Sequence, residues 1–203
     1  MGKSKKFSDR EQTRKDIIEK SAEVFNKRGY LSTSIKTIEE LTGLSRGSIY
    51  GNFNSKEEVA LEVFRYNFRL LFADIEEMIV SATTAKDKLL AYVYYYRQNY
   101  HKISDRGGCP LLNASIDVDD TNPALMAKTL QYVKVWEKTV TNIIEEGRKA
   151  GEWNQEINIQ AFFSKLAGLI QGGVFLAKTT GVDSYLFNNL DSLEAYILSI
   201  SNG

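Results

Sequence analysis

Apolar side chains recur along the chain every three or four residues, the repeat of an α-helix with one buried face. Ile17, Ile18, Ser21, Ala22 and Phe25 make a first stripe, closed by Gly29. Leu61, Phe64, Phe68, Leu71, Phe72, Ile75 and Ile79 make a longer one, and Met126, Leu130, Val133, Trp136, Val140 and Ile143 a third that ends near Gly151. Near the C-terminus Leu186, Leu190, Leu193, Ile197 and Ile200 draw a single narrow seam. No alternating run competes with these, and both prolines, Pro110 and Pro123, stand outside the long periodic segments. The pattern predicts an all-α chain of about nine helices.

Punctuation agrees with periodicity. Ser8 with Glu11, Ser55 with Glu58 and Thr84 with Asp87 are capping boxes, in which the hydroxyl accepts from a free backbone N–H and the acid reaches back. Asn122 before Pro123 predicts a fourth start, because a proline there gives up an N–H that has no partner anyway, and Asn158 predicts a fifth.

The stretch TSIKTIEELTGLSRGSIYGNFNSKEEV, residues 33–59, is the most informative. Ser34 caps a short helix with Ile35, Ile38 and Leu41 inside, Gly43 ends it, and Ser45 caps a second helix over residues 46–53. So short a connection between two amphipathic helices predicts a helix-turn-helix. Ile49 and Phe53 point inward, leaving Arg46, Gly47, Ser48, Tyr50, Gly51 and Asn52 outside. Arginine pairs with guanine edges and asparagine with adenine edges, and serine with either. Glycine in a helix costs about 1 kcal/mol against alanine, so two in one short helix need a reason, and close approach to DNA supplies one. Tyr50 and Lys56 are placed to meet the phosphate backbone, and Lys36 the backbone or a neighbouring base.

Charge sharpens this picture. The 203 residues carry 26 basic and 26 acidic side chains, yet through residue 56 there are 12 basic and 7 acidic, a local +5. A basic N-terminal part on an acidic remainder suits a nucleic-acid-facing module. Lys3, Lys5, Lys6 and Arg10 read as a solvated tail, or as an arm along a minor groove. One cysteine and one histidine leave no internal disulfide and no Cys-rich or HExxH metal site, so neither metal nor cofactor is expected. There is no nucleophile–base pair or phosphate-cradling glycine loop to make an enzyme of it. The charge-free apolar stretch over residues 166–177 is short for a membrane span, and the polar, basic start is unlike a leader, so a cytoplasmic protein is expected.

Through TRKDIIEKSAEVFNKRGY, SIKTIEELTGLSRGSIYGNF and SKEEV, the run from about Thr13 to Phe64 resembles the TetR family of bacterial transcriptional regulators. The resemblance implies a three-helix DNA-binding domain, here 1–54, whose third helix reads DNA, and an effector-binding and dimerisation domain, here 55–203. It carries DNA contacts to Ser34, Lys36, Ser45, Arg46, Gly47, Ser48, Tyr50, Asn52 and Lys56. Gly51 departs from the bulky or aromatic residue common there. The function implied is a homodimeric repressor, released from a pseudo-palindromic operator by a small molecule. GGCPLLNAS, residues 107–115, resembles a helix-start motif of one branch of the family.

For the larger part, aromatic clustering suggests an effector pocket of Tyr96, Tyr100, Cys109, Asn113, Trp136, Phe163, Gln171 and Phe175. Gly168 and Gly172, with the seam Leu186, Leu190, Leu193 and Ile197, are the candidate dimer surface; the alternative is packing within one chain. Cys109 at a helix start reads as a small buried residue, or as a redox or electrophile sensor should the helix terminus lower its pKa. A helical interaction module without DNA binding is the remaining alternative.

Overall fold

The computed structural model describes residues 9–118 and 121–202. Ser8 and the basic positions Lys3, Lys5 and Lys6 lie outside them. Among the described residues the chain forms nine helices: α1 Asp9–Arg28, α2 Ile35–Thr42, α3 Arg46–Asn52, α4 Lys56–Ser81, α5 Ala85–Asp105, α6 Pro110–Val118, α7 Pro123–Ala150, α8 Ile159–Thr180 and α9 Ser184–Ile200. The expected caps are in place. Ser34, Ser45, Ser55, Thr84, Asn122 and Asn158 each accept from the backbone N–H three residues on, at 3.0–3.2 Å.

Helices α1 to α3 close over Ile17, Phe25, Ile35, Ile38, Ile49 and Phe53, all buried. The first turns of α4 complete this small core, with Val59, Val63 and Phe64 at 0% exposure and Phe64 edge-on to Tyr30 at 5.7 Å. Helix α4 then runs on into the larger part, so a single 26-residue rod ties the two together. An unbroken chain of ring contacts follows it: Tyr30, Phe64, Tyr132, Phe68, Phe72, Trp136 and Phe163, with centroids 3.9–5.7 Å apart.

In the larger part α9 folds back on α8 and also meets α5. The α9 seam is the inner surface of this packing: Leu186, Leu190, Leu193 and Ile197 are all at 0% exposure within one protomer. The expectation that they form a dimer surface is therefore corrected. A four-and-three repeat specifies one buried stripe without naming its partner, and the partner here is the chain's own α8 and α5. The α8 glycines divide likewise. A Cβ on Gly173 would come within 3.0 Å of the Leu186 backbone, whereas at Gly168 and Gly172 it would meet open space. Helix α8 is long and apolar enough, by length and composition, to cross a bilayer. One of its faces supplies Phe162, Leu166, Ile170, Val174 and Ala177 to the core, and the other exposes Gly168, Phe175 and Leu176.

Candidate nucleic-acid interface and ligand cavity

Helix α3 has seven residues, too few to persist alone in water. Three devices hold it. Ser45 caps its start, Ile49 and Phe53 anchor it in the small core, and Arg14 of α1 clasps its end. The Arg14 guanidinium donates to the Asn52 carbonyl oxygen and to Glu58 Oε1 at 3.0 Å, and lies 4.1 Å over the Phe53 ring. Glu58 Oε2 in turn accepts from the Asn54 backbone N–H at 2.7 Å and the Asn54 side-chain amide at 2.8 Å. Those bonds, the backbone one foremost, hold the Glu58 carboxyl below its ordinary range. The clasp joins residues 38 and 44 positions apart, which no local pattern announces.

With its inner side fixed, α3 shows Arg46, Gly47, Tyr50 and Gly51 to solvent. No atom of the protein within 4 Å would oppose a Cβ on Gly51, and one on Gly47 would meet only Ser45 Oγ at 3.9 Å. Packing within the protomer therefore gives no reason for either glycine. Ser34, Lys36 and Ser45 are exposed as well, and Ser48 is half-buried.

Two expected DNA contacts stand differently. Asn52 is half-buried, its amide donating to the Ser48 carbonyl oxygen at 2.9 Å, because its place in the last turn folds the short side chain back on the helix. Lys56 reaches the Leu31 carbonyl oxygen at 2.6 Å and so ties the start of α4 to the loop after α1.

The residues of the expected pocket do not gather in one place. Trp136 and Phe163 line a cavity of about 190 Å³ with Gln171, walled by α6 (Leu111, Leu112, Ser115), α7 (Thr129, Val133) and α8 (Ala167). Trp136 also lines a second cavity, of about 230 Å³, with Phe68, Phe72, Tyr92 and Val135. Tyr96 and Cys109 sit behind Gln171, fully buried, and do not line the first cavity. Tyr100 is buried on α5 in ring contact with His101, and Phe175 is 54% exposed on the outer face of α8. For Phe175 the pocket expectation is corrected: aromatic clustering in sequence does not resolve which side of a helix a ring occupies.

Asn113 belongs to the junction between the two parts. Its amide donates to the backbone and side-chain oxygens of Asn26 and to the Gly107 carbonyl oxygen, at 2.9–3.1 Å. Asn26, buried at the end of α1, donates back to the carbonyl oxygens of Arg106 and Gly108. Asp117 accepts from the Leu31 N–H at 2.8 Å. The GGC motif is built for this contact: Gly107 has φ +102°, and a Cβ on it would lie 2.9 Å from the Asn26 carbonyl oxygen. Asn26 and Asp117 carried no signal in the sequence, since their partners lie 80 or more positions away.

Cys109 precedes Pro110 at the α6 start, where the Leu111 and Leu112 N–H groups favour its thiolate. Burial outweighs them and pushes the thiol up, so it behaves as a small apolar residue.

Residues 17–63 match the profile described as bacterial regulatory proteins, tetR family, and residues 85–192 that of the tetracyclin repressor-like C-terminal domain. A transcriptional regulator of the TetR family from Cytophaga hutchinsonii superposes with a TM-score of 0.91 at 34% identity, over 98% of this chain and 100% of that one. Another from Chloroflexus aurantiacus gives 0.89 at 28% identity, over 95% and 97%. The HTH-type transcriptional repressor DhaR of Mycobacterium sp. is 25% identical over 173 residues, 83% of this chain and 84% of that protein.

Proposed function

The chain belongs to the TetR family of bacterial transcriptional regulators, DNA-binding and ligand-responsive, and on that premise we propose how its parts divide the work. The DNA-binding unit is 1–54 together with the first turns of α4, and 55–203 otherwise forms the effector and dimerisation unit. Arg46 and Ser48 read base edges from α3, while Ser34, Lys36, Ser45 and Tyr50 hold the phosphate backbone and Gly47 and Gly51 let the helix lie close to the groove. Asn52 joins the readers only by leaving the Ser48 carbonyl, and Lys56 reaches phosphate only by leaving Leu31. The observation that carries this assignment is the exposed outer face of α3, whose two glycines have no packing role in the protomer.

A second copy of the chain covers the outer face of α8, with Gly168 and Gly172 allowing close approach and Phe175 and Leu176 supplying apolar area. Two-fold pairing sets two α3 helices against one face of a pseudo-palindromic operator, and the protein acts as a cytoplasmic repressor.

Effector enters the cavity beside Trp136, Phe163 and Gln171. Its wall includes Leu111, Leu112 and Ser115 of α6, and the same helix bonds to α1 through Asn113 and Asp117. A ligand that favours one position of α6 thereby favours one position of the DNA-binding unit, by differential affinity for the two states. Binding to labelled DNA from upstream of the protein's own gene, titrated with salt, tests the assignment. Tyr50→Ala should weaken all sequences alike, whereas Arg46→Ala should cost about 1–3 kcal/mol of base discrimination if Arg46 pairs with guanine. Discrimination unchanged in Arg46→Ala removes Arg46 from the readers, and a wild-type protein with no salt-sensitive specific complex removes the DNA-reading role.

A further inference from the structure

The cavity of about 230 Å³ between α4, α5 and α7 shares only Trp136 with the one assigned to the effector, and its chemistry differs. Four rings wall it, in contact one with the next: Phe68 with Phe72 at 4.3 Å, Phe72 with Trp136 at 5.6 Å, and Trp136 with Tyr92 at 6.2 Å. Val80 of α4 and Val135 of α7, 77% and 48% exposed, stand where it meets solvent. The described lining holds one charged side chain, the Glu76 carboxylate, and no basic one. Glu76 stands one helical turn after Phe72 and one before Val80, so all three share a face of α4. Among the described residues no cation or hydrogen-bond donor pairs with it, whereas Asp74, two positions earlier, has Lys102 at 3.7 Å. The Thr139 hydroxyl donates to the Val135 carbonyl oxygen at 3.1 Å, so its proton is taken. Burial above all pushes the Tyr92 phenol up, and the Glu76 charge adds to this, which puts the carboxylate within electrostatic reach of the ring wall.

Aromatic faces are negative and attract a cation, the more so where water is thinned out. A carboxylate with no partner of its own at the same wall adds a counter-charge. An anion would be repelled by both, and an uncharged molecule would gain from the rings alone. We propose that this cavity is a binding site, separate from the effector cavity, for an organic cation whose apolar body lies among the four rings and whose ammonium group stands beside Glu76. Since a cavity of about 150 Å³ accommodates benzene, one of about 230 Å³ has room for a ring bearing a trimethylammonium head.

Three probes share one benzene ring and differ in charge at neutral pH: phenyltrimethylammonium, uncharged N,N-dimethylaniline and benzoate. Calorimetric titration of the full-length protein should give the cation an affinity at least about tenfold above the uncharged amine, and benzoate should give no binding heat. Glu76 is exposed, so Glu76→Gln should fold and should bring the cation down to the level of the amine. Val80→Arg, at the solvent edge, should weaken the cation too by adding a like charge. An amine that binds as tightly as the cation, or a cation that does not bind at millimolar concentration, overturns the proposal. So does cation affinity that both variants leave unchanged, the result expected of a probe lodged in the α6–α7–α8 cavity instead.

Discussion

Removing the Arg14 side chain tests whether α3 is held from outside itself. Its pair with Glu58 leaves the two side chains 30% and 26% exposed, so screening keeps that contribution to about 0.2–1 kcal/mol. The guanidinium over the Phe53 ring adds about 0.5–1 kcal/mol, and its bond to the Asn52 carbonyl, at the negative end of α3, roughly another 0.3–1 kcal/mol. Together Arg14→Ala should cost about 2 kcal/mol, or roughly 4–8 °C in Tm for a chain of this length. The loss is local. Amide hydrogen exchange should quicken at Ile49 to Phe53, and specific DNA affinity should fall, while effector binding far away on α6 to α8 is retained. Arg14→Lys should recover only part of it, because an ammonium lacks the two-pronged geometry. Unchanged exchange in α3 together with unchanged DNA affinity in Arg14→Ala would refute the clasp.

The Glu58 carboxyl is held below its ordinary range, so its stabilisation is complete above the unfolded carboxylate pKa and drains away as pH falls through the lowered folded value; acid titration of stability should show this step in the wild type and lack it in Glu58→Gln. Gly107→Ala forces a left-handed conformation worth about 1–2 kcal/mol and presses a Cβ on Asn26, so thermal melts should drop and DNA release should respond less to effector. On α8 and α9 the two candidate dimer surfaces separate cleanly. Leu190→Ala should cost about 2–5 kcal/mol of protomer stability as a buried truncation, whereas Phe175→Glu, on an exposed ring, should yield a folded monomer in light scattering.

Helix starts were legible because a cap acts on the backbone three residues away: Ser34, Ser45 and Asn158 needed only their own neighbourhood. Trp136, Phe163 and Gln171 line one cavity, but the sequence named them only within a wider set of eight, because aromatic clustering does not tell a ring on a cavity wall from one on another face of its helix. The direction of a buried stripe was not. Leu186 to Ile197 would look the same against a second chain as against α8, and their complete burial within one protomer, with no room for a Cβ on Gly173 beside Leu186, decides it. Asn113 was visible as a polar residue near the aromatic cluster, but its three bonds lead to Asn26 and Gly107. Polar pairings that span the fold leave no periodic trace, and those at Arg14, Asn26 and Asp117 are the ones that connect DNA reading to the rest.

The most direct test is selection of DNA from a random-sequence library by the full-length protein at moderate salt. Two α3 helices carried by a two-fold pair should enrich an inverted repeat whose half-sites are centred about one helical turn apart, roughly 10 base pairs or a multiple, and Arg46→Ala should blur one position in each half. A pool that stays random, or that converges on a motif without two-fold symmetry, contradicts the account.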